Sequence, residues 1–229
     1  MSWDDLYRDT PMRVRGWEQE LFLLFSFHVQ EAKRVLELGC GMALNWEPIR
    51  DYMFPHAQYH GIDASEQALK LARDKYPEIH ALHCGDFSEG LPFESGFDVI
   101  FDRASVPHNT LAAMKQTLRL ALEALKPGGI YIGVDWFSTA HSEYRRGERV
   151  NGENTFTGYT TGTFRNIGNV HFTDEREIED IFDGFELQRV QERTQRIPLL
   201  IQKCPWIPDE FYGREYRLSV FDIVARKPL

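Results

Sequence analysis

At 229 residues with a formal net charge of −9, the chain can bury one sizeable core, and it is too acidic for a habitual nucleic-acid partner, which rewards a basic face. Its cysteines, Cys40, Cys84 and Cys204, are odd in number, scattered and outside any CxxC pair, as suits free thiols in a reducing cytoplasm. No apolar run is long enough to cross a bilayer, and MSWDDLYRDTPMR is acidic where a secretory leader is basic and then apolar, so the expectation is a cytoplasmic protein, monomer or homodimer, with no membrane partner.

The chain reads as one domain, 1–229, opening with an arm and helix over 1–30. Trp3 and Tyr7 lie in the arm, ahead of a helix expected over 16–29, where aromatic side chains could fold over a ligand. Short, mostly apolar runs follow at 35–38, 59–62, 81–84, 97–101 and 130–134, the pattern of strands buried on both faces. Between them lie helices with readable ends. Asn45 is placed to cap one in which Pro48 falls in the first turn. Ser65 starts the next and Pro77 stops it. From Asn109, Leu111, Met114, Leu118, Leu122 and Leu125 share one helical face, and the helix ends at Lys126-Pro127-Gly128-Gly129.

Residues 136–172 are rich in Gly, Thr, Asn and charge, a length that marks a lid, a binding insertion or a missed element. Asp174 and Glu177 then have capping-box spacing, and two runs, 185–190 and 218–225, suit a final antiparallel pair. The stretch 194–215 between them, with three prolines, is expected to be an irregular excursion on the substrate side. The fold class is therefore α/β: a doubly wound, seven-stranded, mostly parallel sheet with one antiparallel strand near an edge. Helices on both faces make three layers, and a lid insertion follows the fifth strand.

In such sheets ligands bind beyond the carboxyl ends of the strands. After the first run come Gly39, Cys40 and Gly41, small enough for close backbone approach, with Glu37 just before them. The second run ends at Asp63, where a carboxylate can accept both hydroxyls of a ribose. The third ends at Gly85-Asp86-Phe87, an acceptor for an exocyclic amine beside an aromatic face, and the fourth at Asp102-Arg103-Ala104.

VLELGCG, GID, CGDF, FDVIFDR and LKPGG, in that order and spacing, resemble the class I methyltransferases that use S-adenosylmethionine. The likeness covers roughly 4–229 as a fold and 34–135 in its motifs, and it is similar in FDVIFDR to small bacterial enzymes acting on small molecules. The resemblance implies S-adenosylmethionine as cofactor, S-adenosylhomocysteine as product and a small-molecule methyl acceptor. Gly39 and Gly41, with Cys40 in their turn, would then lie against the methionine and ribose, and Glu37 near the amino group or ordering the loop. Asp63 would bind the ribose and Asp86 the adenine amine. Ala64 and Phe87 would flank the ring, and Arg103 and Ala104 would border the methyl-donor end. Ala43 stands where relatives often carry a third glycine.

Other readings are weaker. A nicotinamide dehydrogenase would place glycine or alanine where Leu44 stands, and no Tyr-x-x-x-Lys pair occurs. No metal site is expected: His56 and His60 flank a proline-bounded turn, and His80 and His83 face opposite sides of a strand. Cys40 lacks a basic partner and reads as packing. Arg145, Arg146 and Arg149 read as a solvated face. His108 is the candidate general base, with Asp135, Trp136, His141, Tyr144 and Tyr7 as further substrate-side candidates. The alternative is a protein that binds S-adenosylmethionine without catalysis, as a sensor or partner subunit.

Overall fold

Strand β1 (Arg34–Leu38) buries every residue after the first, which is possible only in the middle of a sheet with both faces covered. The computed structural model, which describes residues 3–4, 19–198 and 207–229, places it there. β2 (Gln58–Asp63) and β4 (Phe97–Arg103) flank it in parallel; β3 (Ala81–Cys84) and β5 (Leu125–Phe137) lie outside them. Two long strands, β9 (Glu186–Pro198) and β10 (Glu215–Arg226), complete the order β3-β2-β1-β4-β5-β10-β9. β10 runs against both neighbours, one place in from the edge.

Alternation along the strands sorts the core into two faces. Val35, Tyr59, Val99, Phe101 and Ile132 pack against α1 (Gln19–His28) and α3 (Glu66–Lys75). Leu36, Leu38, Ile100 and Tyr131 pack against α4 (Leu111–Ala124) and α5 (Glu175–Ile181). Each fully buried large apolar side chain contributes about 1.5–3 kcal/mol, so both layers are needed to hold the sheet.

The caps explain most helix starts. Ser65 accepts from Ala68 N at 3.1 Å and Asp174 from Glu177 N at 3.0 Å. For α4 the cap is Thr110, one residue beyond Asn109. Ser65→Ala is expected to destabilise the protein by about 1 kcal/mol, measured by urea unfolding, because the first turn of α3 loses this acceptor. Asn45 does not cap α2 (Trp46–Pro48): its backbone is helical and its side chain makes no cap bond. It donates instead to Glu37 Oε1 at 2.6 Å, and the helix widens into a π-helical turn over Ile49–Met53.

The region 136–172 is not a bare loop. Phe137 closes β5, and the chain then forms a three-stranded antiparallel sheet, β6 (Glu148–Val150), β7 (Thr155–Thr157) and β8 (Val170–His171). Asn151 and Gly152, both with positive φ, make the β6–β7 turn, a hairpin signal masked by the polar composition around it. Its own core of Phe156, Tyr159, Phe164 and Phe172 seats on Phe137. Likewise, residues 194–198 of the expected irregular excursion continue β9 in register with β10; 207–214 hold a short 3-10 turn, Asp209–Phe211. Cys204 and the rest of that excursion, 199–206, lie outside the described residues.

Candidate active site

The carboxyl ends of β1, β2, β3 and β4 meet around a cavity of about 340 Å³. At its floor the β1 turn carries Gly39, Gly41 and Ala43 at φ of 68°, 51° and 53°. Gly39 N and Cys40 N both donate to Ile62 O, at 2.8 and 3.1 Å, which ties the turn to β2. A Cβ on Gly39 would lie 2.3 Å from Ser105 Cβ, so the turn and the β4 loop approach as closely as a hydrogen allows.

Asp63, buried at the end of β2, accepts from Gly41 N at 2.7 Å through one oxygen and from Ser65 N at 2.8 Å through the other. Burial pushes its pKa up, opposed by these two bonds. Asp86 is exposed, and one oxygen takes Ser88 N and Ser88 Oγ at 2.8 and 2.7 Å. Phe87 is buried against the same cavity.

The far wall depends on Asp102, which is fully buried. Its Oδ1 accepts from Tyr131 OH at 2.7 Å and Trp136 Nε1 at 2.9 Å, and its Oδ2 from Ser105 N and Val106 N, both at 3.1 Å. Ser105 Oγ donates to Leu38 O at 2.5 Å. These bonds fold the chain after β4 back over β1, with Ala104 at φ 53°, and set His108 on the rim. His108 Nδ1 donates to Asn169 O at 3.1 Å, so the proton sits on Nδ1 and Nε2 is left as an acceptor. Burial lowers its pKa to about 4, which keeps the ring neutral at pH 7.

Eight sequence candidates line this cavity: Gly39, Asp63, Ala64, Asp86, Phe87, Arg103, Ala104 and His108. Trp3 lines it too, its ring centroid 5.4 Å from that of His108, while Asp4 Oδ1 accepts from Ser65 Oγ at 2.6 Å and Gln67 N at 3.2 Å. Residues 3 and 4 are thus tied to the loop after β4 and to the start of α3. Gly85, noted in the sequence at the end of the third run, lines the cavity as well, as do Ser105 and Asn109, which went unread; both lie in the loop that follows β4, which is the signal that could have found them. Tyr7 lies outside the described residues.

Several candidates turn away. Cys40 packs into the core over Gly61, whose missing Cβ would lie 2.6 Å from its Sγ, and burial drives its pKa well up. Gly41 reaches the site only through its N–H to Asp63. Glu37 is buried beneath the turn, bonded to Asn45 and Tyr59, with its pKa raised to about 7 by burial; it orders the loop and does not line the cavity. Trp136 is a core residue whose indole serves Asp102. His141 is buried in the insertion, accepting from Glu143 N at 3.0 Å, its pKa lowered to about 4 by burial. Tyr144 donates to Asn154 Oδ1 at 2.7 Å among Phe156 and Phe172. Asp135 lies behind the wall, paired with Arg103 and Arg193.

A family model described as a methyltransferase domain matches residues 30–193. Trans-aconitate 2-methyltransferase of Variovorax paradoxus is 30% identical over 125 residues, 52% of this chain and 47% of that protein. Demethylmenaquinone methyltransferase of Listeria welshimeri is 32% identical over 128 residues, 52% of this chain and 50% of that one. The matches span about half the length of these curated relatives. A solved S-adenosylmethionine-dependent methyltransferase from Methanosarcina mazei has a TM-score of 0.64 at 19% identity, covering 90% of this chain and 97% of that one, a likeness of fold. With motif order, sheet topology and family match in agreement, the chain belongs to the methyltransferase domain family, with the class I fold of its S-adenosylmethionine-dependent members.

Proposed function

We propose that this protein transfers a methyl group from S-adenosylmethionine to a small-molecule acceptor. The observation that carries the reading is Asp63, a carboxylate buried at the cavity wall and oriented by two backbone N–H groups, which leaves its remaining lone pairs for a vicinal diol. The residues fit the cofactor in a second respect, because Gly39 lines the cavity with no side chain of its own, so a ligand can lie against the backbone there. Asp86 and Phe87 offer an acceptor and an aromatic face for an adenine.

When bound, the cofactor supplies a methyl group already activated on a sulfonium. The protein's part is then to hold an acceptor about 3 Å from that carbon, in line and out of water. Trp3 and His108 pack edge to face in the cavity lining, placed to shield a bound ligand. His108, neutral and with Nε2 as acceptor, is the group placed to take a proton from a hydroxyl or amine. The two curated relatives are named for trans-aconitate and demethylmenaquinone, which supports a small-molecule acceptor.

Two measurements test this. Calorimetry should detect S-adenosylhomocysteine binding, and a screen of pooled metabolites should release S-adenosylhomocysteine from S-adenosylmethionine. Binding without turnover across a broad screen would turn the reading toward a sensor. Once an acceptor is found, His108→Asn should cut turnover about 10²–10⁴-fold while leaving S-adenosylhomocysteine affinity within about twofold. Its contribution should fade only as pH falls toward 4, where the ring protonates. Unchanged turnover in this variant removes His108 from the role.

A further inference from the structure

The fifth strand carries a β-bulge where it meets β10. Phe221 pairs with Trp136 and Ile223 with Gly133, so Val134 and Asp135 together oppose Asp222 alone. The extra residue drives Asp135 to φ 60°, a conformation that costs a side-chain-bearing residue about 1–2 kcal/mol, and its N–H approaches Asp222 Oδ1 at 3.4 Å. Strain of this kind persists where the surroundings over-determine it, often beside a functional site.

What the bulge achieves is a chain of alternating charges. Asp135 Oδ2 lies 3.4 Å from Arg103 Nε, and Asp135 Oδ1 accepts from Arg193 Nη2 at 2.8 Å. Arg193, two strands away on β9, is held in turn by the buried carboxylate of Asp222, accepting from its Nε and, at 3.0 Å, from its Nη2. Glu20 of α1 stands 3.6 Å from the third guanidinium nitrogen. The planar fork of Arg193 spans both aspartates in a way that one ammonium cannot. At the other end of the chain, Arg103 is the one lysine or arginine among the described residues lining the cavity, where Asp63 and Asp86 are the other formal charges.

We propose that Arg193 is a positioning residue: through Asp135 it fixes the Arg103 guanidinium in the cavity so that Arg103 receives a carboxylate. The inference rests on the methyltransferase reading. Two sources can supply the carboxylate, the amino-acid tail of the cofactor or an acidic acceptor, and the same chemistry serves either. Asp135 screens part of the Arg103 charge, so directed N–H bonds, and not net charge, give the preference for a planar anion.

The test compares S-adenosylhomocysteine with 5′-methylthioadenosine, which keeps the adenosine and sulfur but lacks the amino-acid tail, on the whole chain by calorimetry. In Arg193→Gln, affinity for S-adenosylhomocysteine should fall about tenfold while methylthioadenosine changes less than about twofold, if the cofactor tail is the source. If the acceptor is the source, both nucleosides bind as before, and trans-aconitate binding to the protein saturated with S-adenosylhomocysteine falls about tenfold. Arg193→Lys keeps a cation against Asp222 and guards against loss of folding. It should show a smaller change with the same selectivity. An equal fall for both nucleosides, or no change in any of the three ligands, overturns the proposal. Wild-type protein that binds neither nucleoside overturns the S-adenosylmethionine reading, and this inference with it.

Discussion

Gly39→Ala is expected to destabilise the protein by about 2–5 kcal/mol and to abolish measurable binding of S-adenosylhomocysteine. Two costs combine. Gly39 sits at φ 68°, where an L side chain costs about 1–2 kcal/mol. The new methyl would also lie 2.3 Å from Ser105 Cβ and 2.7 Å from Ser105 Oγ, a collision in the range of about 1–3 kcal/mol for overpacking. Ser105 cannot simply move aside, because its Oγ donates to Leu38 O and its N–H to Asp102. The turn must therefore shift, and the turn carries the N–H that orients Asp63. Urea unfolding measures the first effect and calorimetry the second. Adding Ser105→Gly removes the collision while leaving the φ strain, so the double variant should recover about half the loss. A Gly39→Ala protein that unfolds and binds like wild type would show that the two loops are not packed this closely.

Asp63→Ala is expected to weaken S-adenosylhomocysteine binding about a hundredfold or more, because each hydrogen bond to a charged group is worth about 1.5–3 kcal/mol and a ribose offers two hydroxyls. The variant also leaves Gly41 N and Ser65 N buried without their acceptor, so stability should drop as well. A pH series separates the roles. The ionised carboxylate is the form that accepts from two hydroxyls and two N–H groups, and burial raises the Asp63 pKa above its ordinary value. Affinity should hold at neutral pH and decline as the pH falls through that raised pKa, at higher pH than for a solvent-exposed aspartate. The Asp63→Ala protein should lack that decline. Wild-type affinity in the variant would remove Asp63 from the cofactor site.

How far the sequence could be read depended on the range of the interactions involved. The five parallel strands, the Ser65 and Asp174 caps, Gly39 and Asp63 are legible because strand periodicity, capping and turn chemistry are settled by neighbours within a few residues. Asn45 shows the limit: it has the residue type and position of a cap, but Glu37, eight residues earlier, takes its amide. Trp136 and Asp135 follow the apolar run 130–134 and so read as lying past a strand end, the usual place for functional side chains, although β5 runs on to Phe137. Yet one is claimed by Asp102 from β4 and the other by Arg193 from β9. Similarly, His141 and Tyr144 occupy a polar-looking insertion whose phenylalanines, spread from Phe156 to Phe172, close into a core that composition conceals.

By itself, then, the sequence determined the class of fold, the glycine turn after β1 and the carboxylate that closes β2, because each is written in local spacing. The tertiary structure alone decided which polar groups face the cavity and which face each other. Asp102 became a buried joint for the β4 loop, Glu37 a brace under the glycine turn, and Arg193 the end of a charge chain reaching Arg103. A buried charge is stable only with its partners in place, and those partners come from strands distant in the chain that only the sheet order brings together.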